Sequence, residues 1–162
     1  MYIEDDEEGG EGIKLTQSTA ILEYLAVKHN VMPANAKEAY ERTWYFETEH
    51  DFKSKKGWGT AMMKDEVEVT EMFGTINLRK DFMMQLEVRF ADGREHAAGA
   101  SVTTADFALL TFYLSSVANE HMRHALVREE LTERANALPN FMRVVNNIKG
   151  PLQATIDAMP AT

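Results

Sequence analysis

Two short alternating runs open the chain, and from residue 36 onward apolar positions recur at helical spacing. Tyr2-Ile3-Glu4 reads as a strand end and Ile13 to Thr16 as a second strand. The acidic stretch from Asp5 to Gly12, with Gly9-Gly10 inside it, reads as the turn between them. Thr19 to His29 places Ile21, Leu22, Leu25 and Ala26 on one face, which predicts an amphipathic helix. Asn30 to Asn35, containing Pro33, reads as a linker. Ala36 to about Lys55 predicts a helix carrying Tyr40, Trp44, Tyr45 and Phe46. A second long helix is expected from around Asp65 to Phe90, with Ile76, Phe82, Met83 and Leu86 among its apolar members. Gly74 inside it marks either a kink or a close crossing.

Ala91 to Ser101 is expected to be loop, and Thr104 to Val117 is the most apolar segment. Apolar residues there surround the whole helical circumference, which predicts a helix at the centre of the core. Its start is legible as a cap: the Thr103 hydroxyl can accept from the first turn, and Asp106 can reach back to the Thr103 amide. Val102 and Phe107 stand at the positions of a hydrophobic staple around that cap. His121 to Arg134 reads as a polar stretch, followed by two short helices. Phe141, Val144, Val145 and Ile148 stripe the first, and Pro151 after Gly150 opens the second. The fold class is therefore mainly α, and two strands alone are too few for an independent sheet.

Charge changes this picture at one end only. The net charge of −9 is concentrated at the start, where Glu4, Asp5, Asp6, Glu7, Glu8 and Glu11 meet no base. A calcium loop would need a ligand spacing that these acids lack, so they read as a solvated turn. Without a basic stripe there is no footprint for nucleic acid. The absence of cysteine removes disulfides, thiolate metal sites and cysteine nucleophiles. His121 and His124 beside Glu120 fall short of the three or four ligands zinc needs, so no metal is expected. No run of apolar residues is long enough for a membrane span.

Three segments carry a family resemblance. The first is Leu15-Thr16-Gln17-Ser18 with Ala20-Ile21-Leu22-Glu23-Tyr24-Leu25-Ala26; the second is Thr103-Thr104-Ala105-Asp106-Phe107. The third is Leu138-Pro139-Asn140-Phe141 followed by Lys149-Gly150-Pro151-Leu152. In this order the chain resembles the cytosolic glutathione S-transferases of the alpha, mu, pi and sigma type. The resemblance implies that residues 1–30 form the end of a thioredoxin-like domain, residues 31–35 a linker, and residues 36–162 the helical C-terminal domain. It implies glutathione as ligand, its γ-glutamyl carboxylate seated on Gln17 and Ser18. It also implies Asp51 as the acid offered to the glutamyl amine across a subunit boundary. The hydroxyl and amides at a helix N-terminus suit a carboxylate physically, although Ser18 could equally be a plain cap.

The family's thiol-activating Tyr or Ser, and its cis-proline loop, have no counterpart in this sequence, since Tyr2 falls in what resembles the third strand. The expected function is thus a glutathione transferase-like protein without catalysis, serving as a structural or interaction subunit. The alternative is a genuine transferase conjugating glutathione to electrophiles, whose N-terminal region lies outside this chain. Either reading expects a homodimer or a subunit of a larger complex. The cytoplasm is the default location, an organelle if a presequence precedes Met1.

Overall fold

Tyr2–Glu4 (β1) and Ile13–Leu15 (β2) pair antiparallel, with Tyr2 opposite Leu15 and Glu4 opposite Ile13. The computed structural model describes residues 2–4, 12–63 and 66–158, so the acidic turn expected between the strands lies outside the described residues. The rest is helical. Ser18–Lys28 (α1) turns Ala26 fully inward and keeps Ile21, Leu22 and Leu25 half-buried. Ala36–Ser54 (α2) starts where expected because the Asn35 side chain accepts the Glu38 amide at 3.0 Å. The short Thr60–Met63 helix (α3) precedes Val69–Arg89 (α4).

The expected start of that long helix at Asp65 moves to Val69. Glu68 takes the extended backbone of a cap, and the first intrahelical bond runs from the Met72 amide to the Glu68 carbonyl. A Cβ on Gly74 would meet nothing within 4 Å, so no close crossing requires glycine there. Thr104–Ser116 (α5), Ala125–Asn136 (α6) and Pro139–Asp157 (α7) complete the bundle.

Two sequence expectations fail in this half. The polar stretch contains α6, anchored by Val127, Leu131 and Ala135 at helical spacing, all buried. The two short tail helices are one, with Pro151 inside α7. An interior proline costs about 3 kcal/mol or more. Leu152 and Ile156 continue the stripe of Ile148 against the core, and that burial offsets the missing amide.

The core is a nest of rings. Phe82 of α4 is fully buried, with ring centroids 5.4 Å from Phe52, 5.7 Å from Trp58, 5.1 Å from Phe112 and 6.0 Å from Tyr45. Arg79 enters the same nest, 4.5 Å over the Trp58 ring, donating Nε to the Trp58 carbonyl at 3.2 Å and Nη1 to the Ser116 hydroxyl. Burial pulls its pKa down to about 10, so it remains charged at neutral pH. α5 is covered less completely than its composition predicts: Phe107, Thr111 and Ser115 share one exposed stripe.

The long connection between α4 and α5 is ordered by buried charge. Phe90–Asp92 forms a 3₁₀ turn, after which Arg94 donates to both oxygens of Asp92, at 2.9 and 2.7 Å, and to Glu41 at 2.8 Å. Arg89 grips the same Glu41 carboxylate with two bonds of 2.7 Å. Glu38 accepts from the Ala34 amide at 2.9 Å and the Ala100 amide at 3.1 Å. Gly99 presses against it with φ 152°, and a Cβ there would fall 2.8 Å from Glu38 Cγ. Gly99→Ala should therefore cost about 1–3 kcal/mol through backbone strain and displacement of Glu38. A shift of the urea midpoint no larger than that of an exposed-site control would sink this.

The connection also sets a pH dependence. Bonds from the Arg94 side chain lead in holding the Asp92 carboxyl down to about 2. Burial pushes Glu41 up, but Arg94 and Arg89 together outweigh it and leave it lowered. The Ala34 amide leads in lowering Glu38. Because all three are depressed in the folded state, their stabilisation is complete above the ordinary values of 3.8 and 4.5. It is lost as pH falls from there toward about 2. Unfolding free energy measured in urea should be flat above pH 5 for these groups and decline below it. An Asp92→Asn, Glu41→Gln double variant should show a shallower decline; equal slopes would refute the assignment.

Candidate functional site

The start of α1 is open. Gln17, not Ser18, occupies the cap position, its side chain makes no capping bond, and no acid stands in the first turn. Gln17 holds φ 71° and ψ 115°, a conformation that costs a non-glycine residue about 1–3 kcal/mol. Ser18 is the first helical residue, exposed, and its hydroxyl makes no hydrogen bond among the described residues. The positive end of the helix dipole and the first amides thus face outward without an internal counter-charge.

They face a cleft of about 550 Å³ between α1, α2 and α5. Leu22, Phe46, Phe107 and Ala108 supply its apolar wall, and Ser18, Thr19, Glu47 and His50 line it with polar groups. Lys53 and Glu49 also line it and pair with each other at 2.9 Å. An adjoining cavity of about 80 Å³ shares Thr19, Leu22, Phe46 and Glu47, and is closed by Arg42 and Thr104. Arg42 is committed to Glu23 at 2.5 Å, while its buried Nε finds no partner.

The residues expected from sequence are distributed unevenly around this cleft. Ser18 lines it, Gln17 sits exposed one residue before it, and Asp51 is exposed on α2 outside the set of lining residues. Asp51 and Ser18 do not share a cleft within one chain. Phe46, Glu47, His50 and Lys53 line the cleft, and Asp51, about 100° around the helix from His50 and about 40° past Glu47, falls just outside the lining. Glu47 and His50 were missed because nothing in their local sequence marks them. Their spacing with Phe46 and Lys53 becomes informative only once α1 is known to lie alongside.

Thr103 and Asp106 are structural. The Thr103 hydroxyl accepts from the Ala105 amide at 3.3 Å. Asp106 accepts from the Thr103 amide at 2.7 Å, the Ala97 amide at 2.9 Å and His96 Nδ1 at 3.2 Å. Val102 and Phe107, the expected staple, remain 41% and 40% exposed, so the cap rests on its polar bonds.

A second hollow of about 530 Å³ at the start of α2 is lined by Glu38, Asp92 and Arg94, where Arg94 pairs with Asp92 and Glu38 accepts from the Ala34 and Ala100 amides. Among the described residues, no group of acids, histidines or cysteines is arranged to hold a metal ion, and no helix is long and apolar enough to cross a membrane. No family model, curated protein or solved structure matches this chain.

Proposed function

We propose that the chain is a glutathione transferase-like helical subunit that binds the γ-glutamyl end of glutathione at the start of α1 and acts through association with another chain. The carrying observation is the uncapped α1 terminus, with a free Ser18 hydroxyl opening into the cleft. A serine that merely capped its own helix would be bonded to the first turn; this hydroxyl is free to meet a carboxylate.

Association is supported by the outer faces of α2 and α4. Tyr40 and Val88 are 59% and 69% exposed, and Trp44, Met84 and Val88 line a shallow apolar hollow. Apolar groups gathered in this way suit contact with a second copy or another partner. Val88→Glu is expected to dissociate the oligomer, seen as a fall in mass by light scattering, while leaving the urea midpoint near wild type. An unchanged mass removes this face from the association.

The glutathione reading is tested by calorimetric titration of the purified chain with glutathione. Binding should weaken about tenfold in Ser18→Ala, the worth of a hydrogen bond to a charged group. Absence of saturable binding overturns the reading. Turnover of glutathione with a generic aromatic electrophile would instead establish the catalytic alternative.

A further inference from the structure

We propose that residues 93–102 form a flap that opens as one unit while the helical bundle stays folded, with Arg94 as its latch. The flap is closed on itself. His96 donates its amide to the Gly99 carbonyl at 3.0 Å, and Gly99 donates back to the His96 carbonyl at 3.2 Å. Arg94 adds a bond from Nη1 to the Ala97 carbonyl at 3.3 Å. A segment braced in this way moves as a body rather than fraying residue by residue. Its two ends are free to turn. Gly93 stands at φ 84°, where a side chain would be strained, and its backbone has no neighbour within 4 Å of a Cβ position. At the other end Val102 is exposed, immediately before Thr103, which Asp106 anchors.

What holds the flap down is polar. Residues 93–101 carry no apolar side chain larger than alanine, and of these Ala97 and Ala98 are buried. By contrast, α4 buries Phe82, Met83 and Leu86 completely. Apolar burial therefore sets the cost of unfolding the bundle and contributes little to holding the flap. Three helices tie it instead. From α2, Glu41 accepts Arg94 Nη1 and Glu38 accepts the Ala100 amide. From α5, Asp106 accepts the Ala97 amide and His96 Nδ1. From α7, Arg143 donates to the Arg94 carbonyl at 3.5 Å and Asn147 to the Glu95 carbonyl at 3.1 Å. Arg94 is thus tied to both α2 and α7, and its side chain is shut away from water beside that of Glu41. Water cannot replace the bond to Glu41 while the flap is closed, so releasing Arg94 and hydrating it belong to one step.

Opening removes the wall that Arg94, Ala98 and Ala100 give the hollow of about 530 Å³ at the start of α2. It also bares the first turn of α5. The cap of α5 survives, because the Thr103 amide and Asp106 lie beyond the moving segment. The opening needs no ligand and does not depend on glutathione binding.

Hydrogen exchange followed by NMR on the whole chain, in rising urea below the unfolding midpoint, tests the flap. The probes are the Ala97 and Ala100 amides, which are held by different helices and share no partner. Both should exchange through one opening, with equal protection and little dependence on urea. The Phe82 and Met83 amides should exchange more slowly and with steep urea dependence. Arg94→Lys keeps the charge but loses the planar fork. It should speed both probes by the same factor, about tenfold or more, the order expected for a lost bond to a charged group. Neither amide bonds to Arg94, so a common factor reports the latch. Protection of Ala97 and Ala100 differing by more than about tenfold overturns the proposal, as does a urea dependence matching that of Phe82. A lysine variant that speeds one probe alone, or neither, overturns it as well.

Discussion

Asp106→Ala is expected to remove several kcal/mol of stability, a large share of the roughly 5–15 kcal/mol that holds a typical domain together. Its carboxylate is fully buried and spans two segments: one oxygen takes the Thr103 amide and hydroxyl, the other the Ala97 amide and His96 Nδ1. Alanine strands both amides away from water, and each buried orphan costs about 1–3 kcal/mol. The loss reaches beyond α5, because Ala97 and His96 belong to the connection that Glu38 and Glu41 hold from the other side. The Asp106→Asn variant would keep one carbonyl oxygen, serve one amide, and give roughly half the loss. Urea unfolding followed by circular dichroism measures both variants. A loss under about 1 kcal/mol for the alanine variant, below the cost of one orphan, would show that the buried bonds are replaceable.

Phe82→Ala should be comparably damaging, by about 3–5 kcal/mol. The ring is wholly buried and meets four others from α2, α5 and the segment before α3. Removing it deletes the transferred apolar surface and leaves a void whose lining cannot collapse, since Arg79 braces Trp58 from the other side. Phe82→Leu retains most of the apolar volume and should recover most of the loss. Near-ultraviolet dichroism, which reports the fixed setting of Trp58, should weaken in the alanine variant even below its unfolding transition. A midpoint within about 1 kcal/mol of wild type would mean that the rings repack freely.

Local chemistry explains what could be read without a structure. Thr103 with Asp106 is a signal complete within four residues, and α5 starts where those residues put it. The missed helix α6 had a signal as well: Val127, Leu131 and Ala135 repeat at intervals of four, but the acids and bases between them masked a narrow stripe. Pro151 misled for the opposite reason. Its local penalty is real, and only the packing of Leu152 and Ile156 against the core outweighs it.

By itself, the sequence determined the helical class, the cap of α5 and the aromatic content of the core, because each depends on spacing within one turn or one stripe. The tertiary structure alone decided which face of α5 stays open, how the 93–103 connection is bound, and which acid shares a cleft with Ser18. Those are properties of helices crossing. Glu47 and Asp51 stand one turn apart on α2 and both are exposed, and only the lie of α1 beside that helix makes Glu47, and not Asp51, a lining residue of the cleft.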